Sequence, residues 1–301
     1  MKYCCAGIVL YNPEIDRLKE NITAIENQVD SIIIVDNNSL NVDSILSGYS
    51  ESEKFIVIRN KKNLGIAAAL NQICEKSLRA DYEWVLLLDQ DSICSANIVD
   101  SYSKYIANEL VALLTPYIID INKLTVEEYL KLNLPEISEA EWAITSGSAI
   151  RLSTWEKAGG FDEELFIDGV DIDYSTRLKI NGYKQLRINR EYLLQEVGHA
   201  EPTCIRRIHK DNAGCITIKR YYRSNHSLLR QYYMARNGII IARKYKSYKP
   251  LLKGIMRTIM IALPKLLVEK NKKELFKTLL NGFYDGFKYQ IVEYKKTEKK
   301  V

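Results

Sequence analysis

Apolar and polar positions follow two different rhythms in the first hundred residues. CCAGIVLY (4–11), SIIIVD (31–36), FIVIRN (55–60) and WVLLLD (84–89) are short apolar runs without internal polar alternation, the pattern of strands buried on both faces. Residues 14 to 28 and NLGIAAALNQICEKSL (63–78) instead repeat their apolar positions at helical spacing. This alternation predicts an α/β fold, a mostly parallel sheet flanked by helices. The polar residues that follow the strands are Tyr11-Asn12, Asp36-Asn37-Asn38-Ser39, Asn60 and Asp89-Gln90-Asp91. They gather on one edge, beyond the carboxyl ends of the strands, where such sheets bind ligands.

After residue 110 the pattern is less regular. LVALLTPYIID and WAITSGSAIRL read as strands separated by a polar insertion. A stretch punctuated by Gly159-Gly160 and Gly182 follows, with a helix predicted over 171–180. That helix opens on carboxylates, which suits the positive end of its dipole. From about residue 220 the chain reads as helical.

Composition is that of a globular protein: 301 residues, 47% hydrophobic and 27% charged. The six cysteines form no C-x-x-C pair, and the three histidines complete no zinc pattern. Reduced core cysteines and a cytosolic protein are expected. The opening MKYCCAGIVLYNPE breaks at Asn12-Pro13 and reads as no signal peptide. The longest apolar candidate for a membrane span, near 251–268, is interrupted by Lys253, Arg257 and Lys265. The net charge of +5 is unevenly spread: residues 243–301 hold 16 basic and 5 acidic side chains, while the rest is mildly acidic.

Two carboxylates one residue apart at the end of a buried strand, Asp89 and Asp91, are costly to hold together without a positive partner. A helix cap and a turn residue is the structural alternative. A phosphatase with Asp89 as nucleophile is a second reading, although such pairs usually end an early strand. A divalent cation bridging a nucleotide diphosphate is the third, since Mg²⁺ and Mn²⁺ take oxygen ligands. Neither G-x-G-x-x-G nor G-x-x-x-x-G-K-[ST] is present, which argues against a standard dinucleotide or P-loop site.

The motifs, in order, resemble the inverting nucleotide-sugar glycosyltransferases of family 2, whose fold is called GT-A. VLYNP, IIIVDNNS, NKKNLGIAAALN, LLLDQDS, SGSAI with GGFDEELFIDGVDIDYSTRL, and RQYYMARN carry the resemblance over roughly residues 4–245. LLLDQDS combined with DEELFIDGVDIDYSTRL is closest to the rhamnosyltransferase branch, which commonly uses dTDP-L-rhamnose to build cell-surface polysaccharide.

The resemblance implies a catalytic domain over 1–220, with a nucleotide-binding half (1–100) and an acceptor-binding half (101–220), and a basic helical region over 221–301. It places Tyr11, Asn12, Asp36, Asn38, Asn63, Gly65, Asp89 and Gln90 against the nucleotide sugar. Ser146, Gly147, Asp168 and Asp173 fall to the acceptor side. Asp91, with Asp89, would hold Mg²⁺ or Mn²⁺. Among Asp162, Asp168, Asp171 and Asp173, the match puts Asp171 at the base position. The family's common Glu just before it is Val170 here, as in many members of the branch. A metal-site His often follows the next strand; here Gln195 stands at that place and His199 four residues later, and either could serve. A nucleotide-sugar donor and a glycan or lipid-linked acceptor are the implied partners.

The tail can form an amphipathic stripe of Leu251, Leu252, Ile255, Ile259, Leu263 and Leu266. It would lie on an anionic membrane from the cytoplasmic side, or pack on the catalytic domain or a second subunit. No nucleic-acid recognition motif is present.

Overall fold

The computed structural model describes residues 2–196, 201–210, 216–223 and 225–296. The chain divides into two compact units, Met1–Glu196 with Lys295–Val301, and Val197–Tyr294.

The first unit is built on β1 (Lys2–Leu10), β2 (Ile32–Asp36), β3 (Phe55–Arg59), β4 (Tyr82–Leu88), β5 (Ile93–Cys94), β6 (Val111–Asp120), β7 (Ile137–Glu139), β8 (Ser148–Arg151) and β9 (Lys184–Gln195). The helices are α1 (Ile15–Glu26), α2 (Asp43–Ser50), α3 (Ile66–Arg79), α4 (Ile98–Ser103), α5 (Val126–Leu130), α6 (Leu152–Ala158) and α7 (Val170–Ile180). The sheet order is β3-β2-β1-β4-β8-β6-β9-β5, with β7 also on β9. β3, β2, β1 and β4 run parallel, as expected. β8 enters antiparallel to β4, so it begins at the edge where β4 ends. The order reverses between β1 and β4, which makes a crevice at the carboxyl ends of those strands.

The apolar runs do what their lack of alternation predicts. Ile8, Leu10, Ile32, Ile34, Trp84, Leu86 and Leu88 join one buried cluster with Leu18, Ile22 and Ile25 of α1. Removing such side chains from water supplies most of the drive to this architecture.

Three local readings differ. WAITSGSAIRL was expected as one strand, yet only Ser148–Arg151 pairs, because Gly147 takes a φ of 74° and turns the chain. α2 follows the predicted NNSLN turn, in a segment too short and polar to show a helical period. The third concerns residues 201–223. Among the described residues there, β10 (Glu201–Lys210) and β11 (Ile216–Arg223) pair antiparallel with each other and not with the large sheet. Residue 220, the expected domain boundary, therefore lies inside β11, and the second unit begins at Val197.

The rest of the second unit is α8 (Leu228–Lys244), α9 (Leu251–Val268) and α10 (Lys272–Lys288), the helical appendage expected from the tail. Ala235, Ala262, Leu275 and Leu279 form its small core. A Cβ at Gly282 would meet the Tyr232 carbonyl of α8 at 2.6 Å, so glycine is what lets α10 approach so closely. Cys4, Cys5, Cys74 and Cys94 are buried free thiols and Cys204 is exposed.

Candidate active site

The loops after β1 and β4 meet at the crevice. The Tyr11 N–H donates to the Gln90 side-chain oxygen (2.8 Å), which ties one loop to the other. Asn12, at a φ of 47°, donates its N–H to Ser39 Oγ (2.8 Å) and accepts the Leu40 N–H on its side chain (2.9 Å). Asp36 ends β2 buried: it accepts the Ser39 N–H (3.0 Å) and faces the Arg59 guanidinium at 3.6 Å. Asn38, at a φ of 69°, is exposed beside it.

The Asn63–Gly65 segment is fixed by its own polar groups. Asn63 Oδ1 accepts the Gly65 N–H (2.8 Å), and Asn37 Nδ2 donates to the Gly65 carbonyl (3.1 Å). Gly65 has a φ of 88°, and a Cβ there would lie 2.6 Å from the Phe166 carbonyl oxygen. The next N–H, on Ile66, donates to that oxygen at 2.7 Å. The segment before α3 is thus stapled to the FIDG loop that carries Asp168. Phe166 and Asp168 both hold positive φ, 58° and 62°. Two such non-glycine residues in one short loop are stored strain, which the surrounding contacts must hold in place.

Beneath the D-x-D pair lies Ser146. Its Oγ accepts the Asp89 N–H (3.0 Å) and donates to Ser92 Oγ (3.1 Å). Gly147 donates its N–H to the Leu87 carbonyl (2.7 Å). Both residues are expected toward an acceptor; their hydrogen bonds hold the end of β4. Asn21 of α1 adds a bond to the Asp89 carbonyl (2.5 Å).

The side chains of Asp89 and Asp91 remain partly open to solvent. Gln195 Nε2 donates to Asp89 Oδ2 at 3.1 Å. β5 pairs antiparallel with β9 in the register Ile93 to Leu194, and this brings Gln195 beside the D-x-D. Arg17 and Glu196 form an ion pair at 3.2 Å nearby. Burial pushes the Asp91 carboxyl above the ordinary aspartate range, against the pull of its own backbone N–H and of Arg17. Such a carboxylate gains from a cation. Among the described residues no group of three or more His, Cys, Asp or Glu side chains is placed to hold a metal ion. Two oxygen donors still fit a hard cation that draws its remaining ligands from phosphate and water. His199 lies outside the described residues.

The acidic helix divides its aspartates. Asp171, in the first turn of α7, is partly exposed and accepts the Ile172 N–H on Oδ1 (2.9 Å). Asp173 is completely buried and pairs with Arg177 one turn on, at 2.8 and 3.0 Å. Arg177 in turn donates to the Ala158 carbonyl (2.6 Å), joining α7 to α6. The acceptor role expected for Asp173 is therefore corrected: its carboxylate is taken up in packing. Asp162 caps the short 3-10 turn Glu163–Leu165 through the Glu164 N–H (3.2 Å).

Sequence reasoning missed Asn71. This buried side chain on α3 bonds the Phe161 N–H (2.7 Å) and carbonyl (2.9 Å), the Trp155 indole (3.2 Å) and Glu163 (2.8 Å). A lone polar residue on the apolar face of AAALNQIC was the available signal.

Residues 5–153 match Glycosyl transferase family 2. This part of the chain carries a family 2 glycosyltransferase domain. The dTDP-rhamnosyl transferase RfbF of Shigella flexneri is 29% identical over 306 residues, which cover 94% of this chain and 97% of that one. Among solved structures, GalNAc-T7 with UDP, GalNAc and Mn²⁺ superposes with a TM-score of 0.62 at 14% identity, over 96% of this chain and 56% of that longer one. S. aureus TarS 1-349 in complex with UDP-GlcNAc gives 0.62 at 14% identity, over 96% and 81%. These two show the fold alone, and it is the GT-A arrangement that the motif order implied. The phosphatase reading of the D-x-D gives way to the family. No helix among the described residues is long and apolar enough to cross a membrane.

Proposed function

We propose that this glycosyltransferase moves L-rhamnose from dTDP-L-rhamnose, with inversion, onto a hydroxyl of a glycan or lipid-linked acceptor in cell-surface polysaccharide synthesis. The observation that carries the sugar is the nearly end-to-end match to a dTDP-rhamnosyl transferase.

The chemistry needs a donor held at its diphosphate and a base on the opposite face of the sugar. Tyr11, Asn12, Asp36, Asn38 and the Asn63–Gly65 segment hold the nucleotide. Asp91, with Asp89 held by Gln195, would bind Mg²⁺ or Mn²⁺. A bound cation there offsets the negative charge that the departing diphosphate gains. Asp171 accepts the proton of the acceptor hydroxyl as it attacks. Asp168, on the strained loop stapled to Gly65, positions the sugar between the two. The basic second unit places the enzyme on the cytoplasmic face of the membrane, where a lipid-linked acceptor is presented.

The test is a panel of dTDP- and UDP-hexoses, with and without Mn²⁺ or Mg²⁺, read as release of free nucleotide diphosphate. dTDP-L-rhamnose should turn over fastest, and only with the divalent ion. Faster release from another sugar would replace the donor. In calorimetry Asp91→Asn should lose the metal-dependent part of nucleotide diphosphate binding; unchanged affinity in Mn²⁺ would remove Asp91 from the metal site.

A further inference from the structure

α9 has two faces that the sequence stripe blended together. Toward α8 it turns Gly254, Thr258, Ala262 and Lys265: Gly254 packs at Ala242, Thr258 at Gly238, and Lys265 Nζ donates to Gln231 Oε1 (2.7 Å). On the opposite face stand Leu252, Met256, Met260, Leu263 and Leu267, each between 52% and 69% exposed. At about 100° per residue these five fall within an arc of roughly 80°, centred opposite α8. Ile255 and Leu266 of the expected stripe are half-buried instead. Five large apolar side chains in one uninterrupted exposed row are not ordinary surface.

Charge decides what covers them. Leu251–Val268 contains no carboxylate, and Lys253 and Arg257 stand exposed beside the row. Residues 243–301 as a whole carry 16 basic against 5 acidic side chains. A second copy laid on this face through a twofold axis would bring like charges together. An anionic lipid surface presents the opposite charge and an apolar layer below it.

We infer that α9 is an interfacial helix whose Leu252–Leu267 row enters the acyl boundary of an anionic membrane while Lys253 and Arg257 meet the headgroups. This rests on the peripheral placement proposed above and adds the surface and its depth.

The test uses full-length protein and sedimentation with phosphatidylglycerol-containing vesicles or with phosphatidylcholine alone. The wild type should bind the anionic vesicles and keep a fraction bound in high salt, because inserted apolar side chains are not screened. The double variant Met256→Asp/Met260→Asp should bind roughly a hundredfold more weakly, about tenfold for each side chain withdrawn. Both positions are exposed, so its melting temperature and its nucleotide release with a soluble acceptor should stay at wild-type values. Equal binding by variant and wild type would overturn the insertion and leave only electrostatic attachment. No binding at low salt would overturn the membrane placement as well. A wild-type dimer by light scattering that the double variant abolishes, without vesicle binding, would assign the face to a second copy. Loss of transfer to a soluble acceptor in the wild type would instead count against the enzymatic reading, whatever the vesicles show.

Discussion

Two pairs of aspartates, each separated by one residue, sit in very different surroundings. Asp89 and Asp91 follow a strand; Asp171 and Asp173 open a helix. In the loop after β4 both carboxylates stay partly open at the sheet edge, and Asp89 is fastened at its backbone by Ser146 and Asn21 and at its side chain by Gln195. On α7 the same spacing turns the side chains about 200° apart. One is left at the surface and the other is sealed against Arg177. The same D-x-D letters thus leave both side chains partly open at one edge in one place and part them in the other. The spacing acquires meaning only through the backbone that carries it.

The most direct way to break this comparison is to neutralise the surface member of the helical pair. Asp171→Asn keeps the size and can keep the bond from the Ile172 N–H but cannot accept a proton. Turnover should fall about 10²- to 10⁴-fold. Donor affinity by calorimetry should stay near wild type, because the proposed base acts on the acceptor and not on the nucleotide. Asp168→Asn is the control, since Asp168 sits on the strained loop just before α7. Retained turnover in Asp171→Asn with loss in Asp168→Asn would move the base onto that loop.

The buried member should behave in the reverse way. Removing one partner of a buried ion pair typically costs about 3–5 kcal/mol, because the other charge is left uncompensated. Asp173→Asn should therefore show a clear drop in denaturation midpoint. Turnover per folded molecule should change little. A variant of full stability with collapsed turnover would return Asp173 to the acceptor side and mean that α7 presents both carboxylates.

The strands of the first unit were legible because burial on both faces leaves an unbroken apolar run, as in SIIIVD and WVLLLD. The edge they converge on was legible for the same reason: in a parallel sheet the ends of the strands share one side. What stayed hidden depends on partners distant in sequence. Asn71 gives no sign that it holds Phe161 ninety residues away, whereas the Asp173–Arg177 pair, one helical turn apart, has a spacing the sequence does show. The pairing of β10 with β11 has a register shift between Pro202 and Arg206, and the sequence there shows no clean alternation from which a strand pair is read. Ser146 and Gly147 were read by motif as acceptor contacts, whereas their packing under β4 follows from the antiparallel entry of β8, which periodicity cannot show.

The smallest expected effect sharpens the comparison from the strand side. Gln195 stands where the family often has a metal-site His, and its amide donates to Asp89. An amide in that position orients the carboxylate without competing for the cation. Residues that orient a metal ligand typically contribute about 10- to 100-fold in metal affinity. Gln195→Leu should thus shift the Mn²⁺ concentration needed for half-maximal nucleotide diphosphate binding upward by that factor, while binding at saturating Mn²⁺ and the melting temperature stay close to wild type. Gln195→His asks whether the position reaches the ion itself. An imidazole that coordinates would lower the Mn²⁺ requirement below wild type and make the metal affinity fall as the ring protonates near its usual range. An unchanged requirement would mean that the position acts only through Asp89. If Gln195→Leu binds Mn²⁺ as well as wild type does, Asp89 is oriented by its backbone bonds to Ser146 and Asn21 alone, and the strand pair needs no side-chain partner to stay in place.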